Sequence, residues 1–123
     1  MIPVNQTKLH QANSGHHGNC RAACLASLLE LELFMVPPFE DMPAFYSSQN
    51  LWLKRIFNLE LVERRGDYDM SVLPEFYIAN GLSSRNVWHS VIYSNGVLIH
   101  DPHPSKEGIL SVERVNYLRP IAK

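Results

Sequence analysis

The stretch CRAACLASLLELEL, from Cys20 to Leu33, is apolar on nearly every side of a helical wheel. Ala23, Cys24, Ala26, Leu28, Leu29 and Leu31 leave no wide polar face, so a helix here has to be covered on most sides rather than laid on a surface. Asn19 just before it is a good N-cap residue, which predicts a helix starting near Asn19 and running to about Leu33. The 19 residues before it are polar and loop-like. VPPF then interrupts the pattern, because proline lacks a backbone donor and restricts its predecessor.

The rest of the chain has to supply the cover. A second helix is expected over Met42 to Phe57. LELVER alternates from Leu59 and reads as a strand, SVLPEFYIANG reads as a short helix stopped by Gly81, and LSSRN reads as a loop. VWHSVIY, GVLIHD and GILSVERVNYLRPI are rich in β-branched and aromatic residues and read as strands. Helices first and sheet last predict an α+β fold, with the N-terminal buried helix packed on a C-terminal antiparallel sheet. A chain of 123 residues fits one such domain, 1–123.

Charge narrows the function classes. The formal charge is −1, and no basic run exceeds the pair Arg64-Arg65, so nucleic acid is not an expected partner. No apolar run approaches the roughly 18 residues of a membrane span, and the N-terminus lacks the charged head and apolar stretch of a secretory signal. A cytoplasmic protein with reduced thiols is expected, since Cys20 and Cys24 lie four apart along one helix face rather than in disulfide geometry.

YSNGV, between two strand patterns, allows two turns that differ in chemistry, because one residue of register moves every side chain to the other face. A two-residue Asn95-Gly96 loop pairs positions that sum to 191 and sets His89 opposite Pro102, with Asp101 pointing away. A three-residue Ser94-Asn95-Gly96 loop gives sums of 190 and sets His89 opposite Asp101. The second is the expectation, partly on functional grounds: a carboxylate on one ring nitrogen fixes the imidazole tautomer and leaves the other nitrogen free to serve a nucleophile.

That nucleophile is Cys20. Cysteine attacks as thiolate, which the N–H groups and partial positive charge of a helix N-terminus favour, as does a neighbouring imidazolium. Cys20 falls in the first turn, whereas Cys24 lies a full turn inside and reads as core. The backbone N–H of Cys20 could also meet a developing oxyanion. The plainer reading of Cys20 is a small buried apolar residue, of His89 a core histidine, and of Asp101 a turn residue.

An early Cys opening a buried helix, a His opening a strand and an Asp-Pro closing the next strand resemble the papain-like cysteine peptidase superfamily. PVNQT, GNCRAACLASLLEL, VPPF, WHSVIY and HDPHPS, in that order, are most similar to a group of small, largely uncharacterised papain-like proteins of bacteria and their phages. Bacteriocin-leader-processing peptidases are more distant, with a similar Cys, His and Asp-Pro order. The resemblance implies a minimal papain-like fold, Cys20 as nucleophile, His89 as general base and acid, and Asp101 as orienter. It also implies cleavage of a peptide or isopeptide bond in a peptide or protein substrate, without a cofactor. Its oxyanion-hole glutamine stands a few residues before the nucleophile, but six residues before Cys20 is Ser14. Gln6 in PVNQT is the candidate, with LHQANSGHH as a looped-out insertion, and Gln11 is its rival.

The remaining candidates surround this triad. Arg85 could bind a substrate carboxylate and His103 could line the cleft. Trp52 and Trp88 read first as core, although Trp88 could shield the site from water. His100 should point to the strand face opposite Asp101. Neither CRAAC nor the His16-His17 pair has convincing metal-ligand spacing, so no metal is expected. The same triad could serve an amidase, a deamidase or an acyl transferase, and a non-catalytic peptide-binding module would use the same cleft.

Overall fold

The computed structural model describes residues 1–9, 18–66 and 68–121. Helix α1 spans Cys20–Leu29, helix α2 spans Phe45–Trp52 and continues into a π-turn over Leu53–Phe57, and five strands come after: β1 Leu59–Arg65, β2 Tyr77–Leu82, β3 Trp88–Ser94, β4 Val97–His100 and β5 Arg114–Pro120. The strands form one antiparallel sheet in the order β1-β5-β2-β3-β4, so the last strand inserts between the first two. The fold is α+β, with α1 packed on the sheet.

One face of the sheet supplies what α1 lacks. Ile78 of β2 and Ile92 of β3 meet Ala22, Cys24, Leu25 and Ala26 of α1, and Val36 and Phe39 close the cluster from the VPPF connection. Residues 21 to 27 of α1 are all buried. On the opposite face Val62, Tyr77, Val115 and Tyr117 form a second cluster, covered by Tyr68 and Leu73. Trp52 joins the α1 side through edge-on contacts with Phe39 and Phe57 at 5.7 and 5.2 Å.

Three expected elements differ. Helix α1 stops at Leu29, not Leu33, because Glu30 takes the left-handed conformation and Leu31 donates its N–H to Ala26 at 2.9 Å, a helix-ending arrangement that satisfies an orphan carbonyl. Helix α2 begins at Phe45, three residues beyond the expected Met42, after a short 3-10 turn. The largest correction is the segment SVLPEFYIANG, which is no helix. Its second half is strand β2, buried on both faces and therefore without the alternation that marks a half-exposed strand.

Gly81, read as a helix stop, lies within β2 opposite His89. Its role is close approach: a Cβ there would stand 2.0 Å from the carbonyl oxygen of Ser111. The chain before β5 runs against this point, with Leu110 and Glu113 donating their N–H groups to Leu82 and Asn80 at 2.8 Å.

The β3–β4 turn also corrects the expected register. Asn95 and Gly96 alone form the loop, with φ of 49° and 77°, and Ser94 pairs with Val97 and Tyr93 with Leu98. Asn and Gly accept two successive positive φ values, and the resulting turn matches strand twist. The three-residue loop does not form. A bulge at Ile99 comes next, so that Ile92 pairs with His100. The one extra residue restores the parity that the longer loop was expected to give: continued past the bulge, the register brings Asp101 into phase with Val91 and His89 rather than with Ser90.

Candidate active site

Cys20 is the first residue of α1, so its backbone N–H has no intrahelical acceptor. Asn19 precedes the helix as expected, but its side chain does not cap it. Its carboxamide oxygen instead accepts the N–H groups of Thr7 and Lys8 at 3.0 and 2.8 Å, and its amide donates to the Thr7 hydroxyl at 3.0 Å. Elsewhere along the N-terminal segment, Val4 donates its N–H to the Ser27 hydroxyl at 2.9 Å, and Gln6 donates its N–H to Pro102 at 3.0 Å. His100, on the α1 side of the sheet as expected from its parity, donates a ring N–H to the Val4 carbonyl at 2.7 Å, a structural role. These bonds hold Gln6 between the start of α1 and the Asp101-Pro102 corner.

His89 and Asp101 are both buried, with His89 Nε2 and Asp101 Oδ1 2.6 Å apart. The carboxylate is fixed from three directions: Oδ1 also accepts the His103 N–H at 2.8 Å, and Oδ2 accepts the Gly108 N–H at 2.7 Å. Burial alone would raise the Asp101 pKa, but the bond to His89 and the two backbone donors bring it down to about 2. An ionised Asp101 requires the proton on His89 Nε2, which leaves Nδ1 as the ring atom for the thiol.

Burial likewise lowers the His89 pKa, and hydrogen bonds to Asp101 and Cys20, with their charges, overcome this and raise it to about 9. For Cys20, burial pushes the thiol up, but the hydrogen bond and charge of His89, together with the Ser90 backbone and hydroxyl, leave it below the ordinary thiol value. Cys24, fully buried in the core as expected, has its pKa pushed well up, first by burial and then by the Cys20 charge. The two thiols of one helix are thus separated in reactivity by their surroundings.

A cavity of about 660 Å³ opens on Cys20 and His89, and Gln6, Arg85, Trp88 and His103 are among its lining residues. Gln6 donates one amide N–H to the Lys8 carbonyl at 2.8 Å. Gln11, its rival, and the His16-His17 pair lie outside the described residues. Trp88 is not core: it is 45% exposed, with the Arg114 guanidinium 5.0 Å from its ring centre. The His103 ring stands edge-on to His89 at 5.9 Å, and its Nδ1 bonds the Ser105 hydroxyl at 2.9 Å. No protein-family model matches the chain, and neither a curated protein nor a solved structure does so.

Two contributors were not foreseen. Ser90 contributes to the lowering of the Cys20 pKa, and its hydroxyl donates to Asn80 at 2.7 Å. Asn80 in turn meets the buried Arg21 guanidinium at 3.4 Å and donates to Asn116 at 2.8 Å. Gly108, which completes the Asp101 cradle, lies seven residues further along the chain. Position next to His89 is the only sequence signal Ser90 carried, and Gly108 carried none.

The shifts predict a pH window for stability. Asp101 stabilises the fold fully above its ordinary 3.8 and loses that contribution as pH falls to about 2. His89, raised from 6.5, stabilises fully below 6.5 and loses the contribution as pH rises through about 9. The difference in melting temperature between the native chain and Asp101→Asn should therefore be widest between about pH 3.8 and 6.5 and narrow on both sides. A difference that stays constant from pH 2 to pH 9 would mean that the two groups do not form an ion pair.

Proposed function

We propose that the chain is a papain-like thiol hydrolase that cleaves an amide bond, peptide or isopeptide, through a thioester. The observation that carries this reading is that Cys20, at the start of α1, and His89 line one cavity, while the His89 ring is held through Nε2 at 2.6 Å by the buried Asp101 carboxylate; the lowered thiol and raised imidazole pKa agree with it. This arrangement fixes the tautomer and gives the thiolate a proton carrier beside it.

Chemically, the Cys20 thiolate attacks the carbonyl carbon, and the oxyanion is received by the Cys20 backbone N–H and the second amide N–H of Gln6. The His89 imidazolium gives its proton to the leaving amine as the C–N bond breaks. His89 then takes a proton from water, the hydroxide attacks the thioester, and Cys20 leaves as thiolate. An acceptor other than water at the last step would make the same site an acyl transferase. In this reading the protein works with reduced thiols in the cytoplasm of a bacterium or of a phage-infected cell. Among the described residues no helix is long and apolar enough to cross a membrane.

The test is the rate of Cys20 carbamidomethylation by iodoacetamide against pH, in a Cys24→Ala background. A midpoint clearly below the ~8.5 of a free thiol is expected. A midpoint near ~8.5, or no reaction, would instead describe an idle thiol and favour a peptide-binding module on the same fold.

A further inference from the structure

The cleft has a charge of its own. Among the described residues its lining includes one permanently charged side chain, Arg85, and no carboxylate: Gln6, Leu9, Asn86, Val87 and Trp88 are neutral, and Asp101 is buried behind the His89 ring. Burial first, and then the charges of Arg85 and His89, lower the pKa of His103, which places the guanidinium within electrostatic reach of His103, whose ring stands 5.9 Å from that of His89.

Arg85 is held in place by one nitrogen. Nη1 donates to the Ser105 hydroxyl at 3.0 Å, and Ser105 also bonds His103 Nδ1. The nearest carboxylate, Glu107, lies 4.0 Å from the same Nη1, is 56% exposed and accepts the Ser84 hydroxyl. Among the described residues, Nε and Nη2 of Arg85 have no protein acceptor within hydrogen-bonding distance. A guanidinium with its fork unoccupied, beside a neutral wall ending in the exposed Trp88 ring, is shaped for a planar anion.

We propose that Arg85 forms a carboxylate subsite, so that the preferred substrate carries a carboxylate, from its chain terminus or an acidic side chain, within one cavity's reach of the bond cleaved. This rests on Cys20 being the nucleophile. The anion enters the fork through Nε and Nη2 while Ser105 keeps Nη1 oriented. Glu107, on the rim, competes weakly for the same charge.

Two alkylating agents of equal size separate this from the underlying reading. Iodoacetamide reports the reactivity of Cys20, and the ratio of iodoacetate to iodoacetamide rates at pH 7 reports a cation positioned for a carboxylate. Arg85→Gln should lower that ratio by at least about fivefold, a modest value for a charge focused in a cleft, and Glu107→Gln should raise it. The charge of His89 is common to all three proteins and cancels. A ratio that Arg85→Gln leaves unchanged, in a protein whose iodoacetamide profile is still that of an activated thiol, overturns the subsite and keeps the hydrolase. An unactivated thiol would overturn the hydrolase first. Protection of Cys20 against iodoacetamide then identifies the source of the anion. Acetyl-glycylglycine protecting better than its amide indicates a terminal carboxylate, and acetyl-glycyl-glutamyl amide protecting better than its glutamine counterpart indicates an acidic side chain. Equal protection within both pairs overturns the proposal.

Discussion

Replacing His89 with alanine is expected to move the alkylation midpoint of Cys20 upward toward the ~8.5 of free cysteine and to lower amide hydrolysis by roughly 10²–10⁴. The imidazole does three jobs at once. In the proposed mechanism it favours the thiolate by its hydrogen bond and its charge, and it carries the proton to the leaving group. With it gone, burial of Cys20 opposes ionisation and the two largest influences favouring the thiolate are lost. In the native protein, hydrolysis should also fall as pH rises through about 9, where His89 loses the proton it must donate. Asp101→Asn should shift that descending limb to lower pH, since the bond to Asp101 is the largest of the influences raising the His89 pKa. Turnover by His89→Ala within threefold of the native chain would exclude His89 as the proton carrier.

Gly81→Ala is the second large effect, expected on stability. The added methyl would lie 2.0 Å from the Ser111 carbonyl oxygen and 3.3 Å from its carbon, both backbone atoms that cannot rotate away. The strap from Gly108 to Glu113 must then lift from β2, breaking its bonds to Leu82 and Asn80. A loss of about 3 kcal/mol or more is expected, at the upper end of the usual range for overpacking. Denaturant unfolding measures it, and a loss under about 1 kcal/mol would show that the strap yields easily. Because Gly108 starts the strap and donates to Asp101 Oδ2, this variant should also disturb the site from behind. Its residual folded fraction should show a Cys20 profile moved upward, toward that of His89→Ala.

Much of the fold was legible because it depends on local pattern. The apolar character of α1 required cover on most sides, and strands formed at 88–94, 97–100 and 114–120 within the β-branched runs, the last of them six residues later than its run begins. Strand β2 was not legible. A central strand buried on both faces has no period of two, and its glycine mimics the end of a helix. The turn at Asn95-Gly96 is dictated by its two residues, whereas the bulge at Ile99 depends on how β4 meets β3 across the sheet. His89 and Asp101 meet, but not as the directly opposed pair that was expected: a shorter turn plus one bulged residue gives the same parity as a longer turn, with Asp101 in phase with His89 rather than opposite it.

The candidate site divides in the same way. Cys20, His89 and Asp101 could be nominated from the sequence, since each stands at a recognisable end of an element: helix start, strand start and strand exit. Gln6 was nominated from a resemblance alone, and its place in the cleft is set by Asn19, Ser27, Pro102 and His100, none adjacent to it in the chain. Trp88 was read first as core because large aromatic residues usually are, yet its strand end faces the cavity.

What the sequence by itself determined is the chemistry available and the type of most elements: a thiol at a helix start, an imidazole on one strand and a carboxylate just past the end of the next, and an apolar helix that needs a sheet. These depend on side-chain periodicity and capping, which act over a few residues. Tertiary structure alone decided which atoms meet. The order β1-β5-β2-β3-β4, the strap over Gly81 and the N-terminal segment pinned along α1 bring positions 6, 20 and 89 around one cavity, with 101 and 108 behind His89. The physical reason is range: burial, charge and close backbone contact between residues up to about a hundred positions apart shift the thiol, the imidazole and the carboxylate, and no local pattern carries that information.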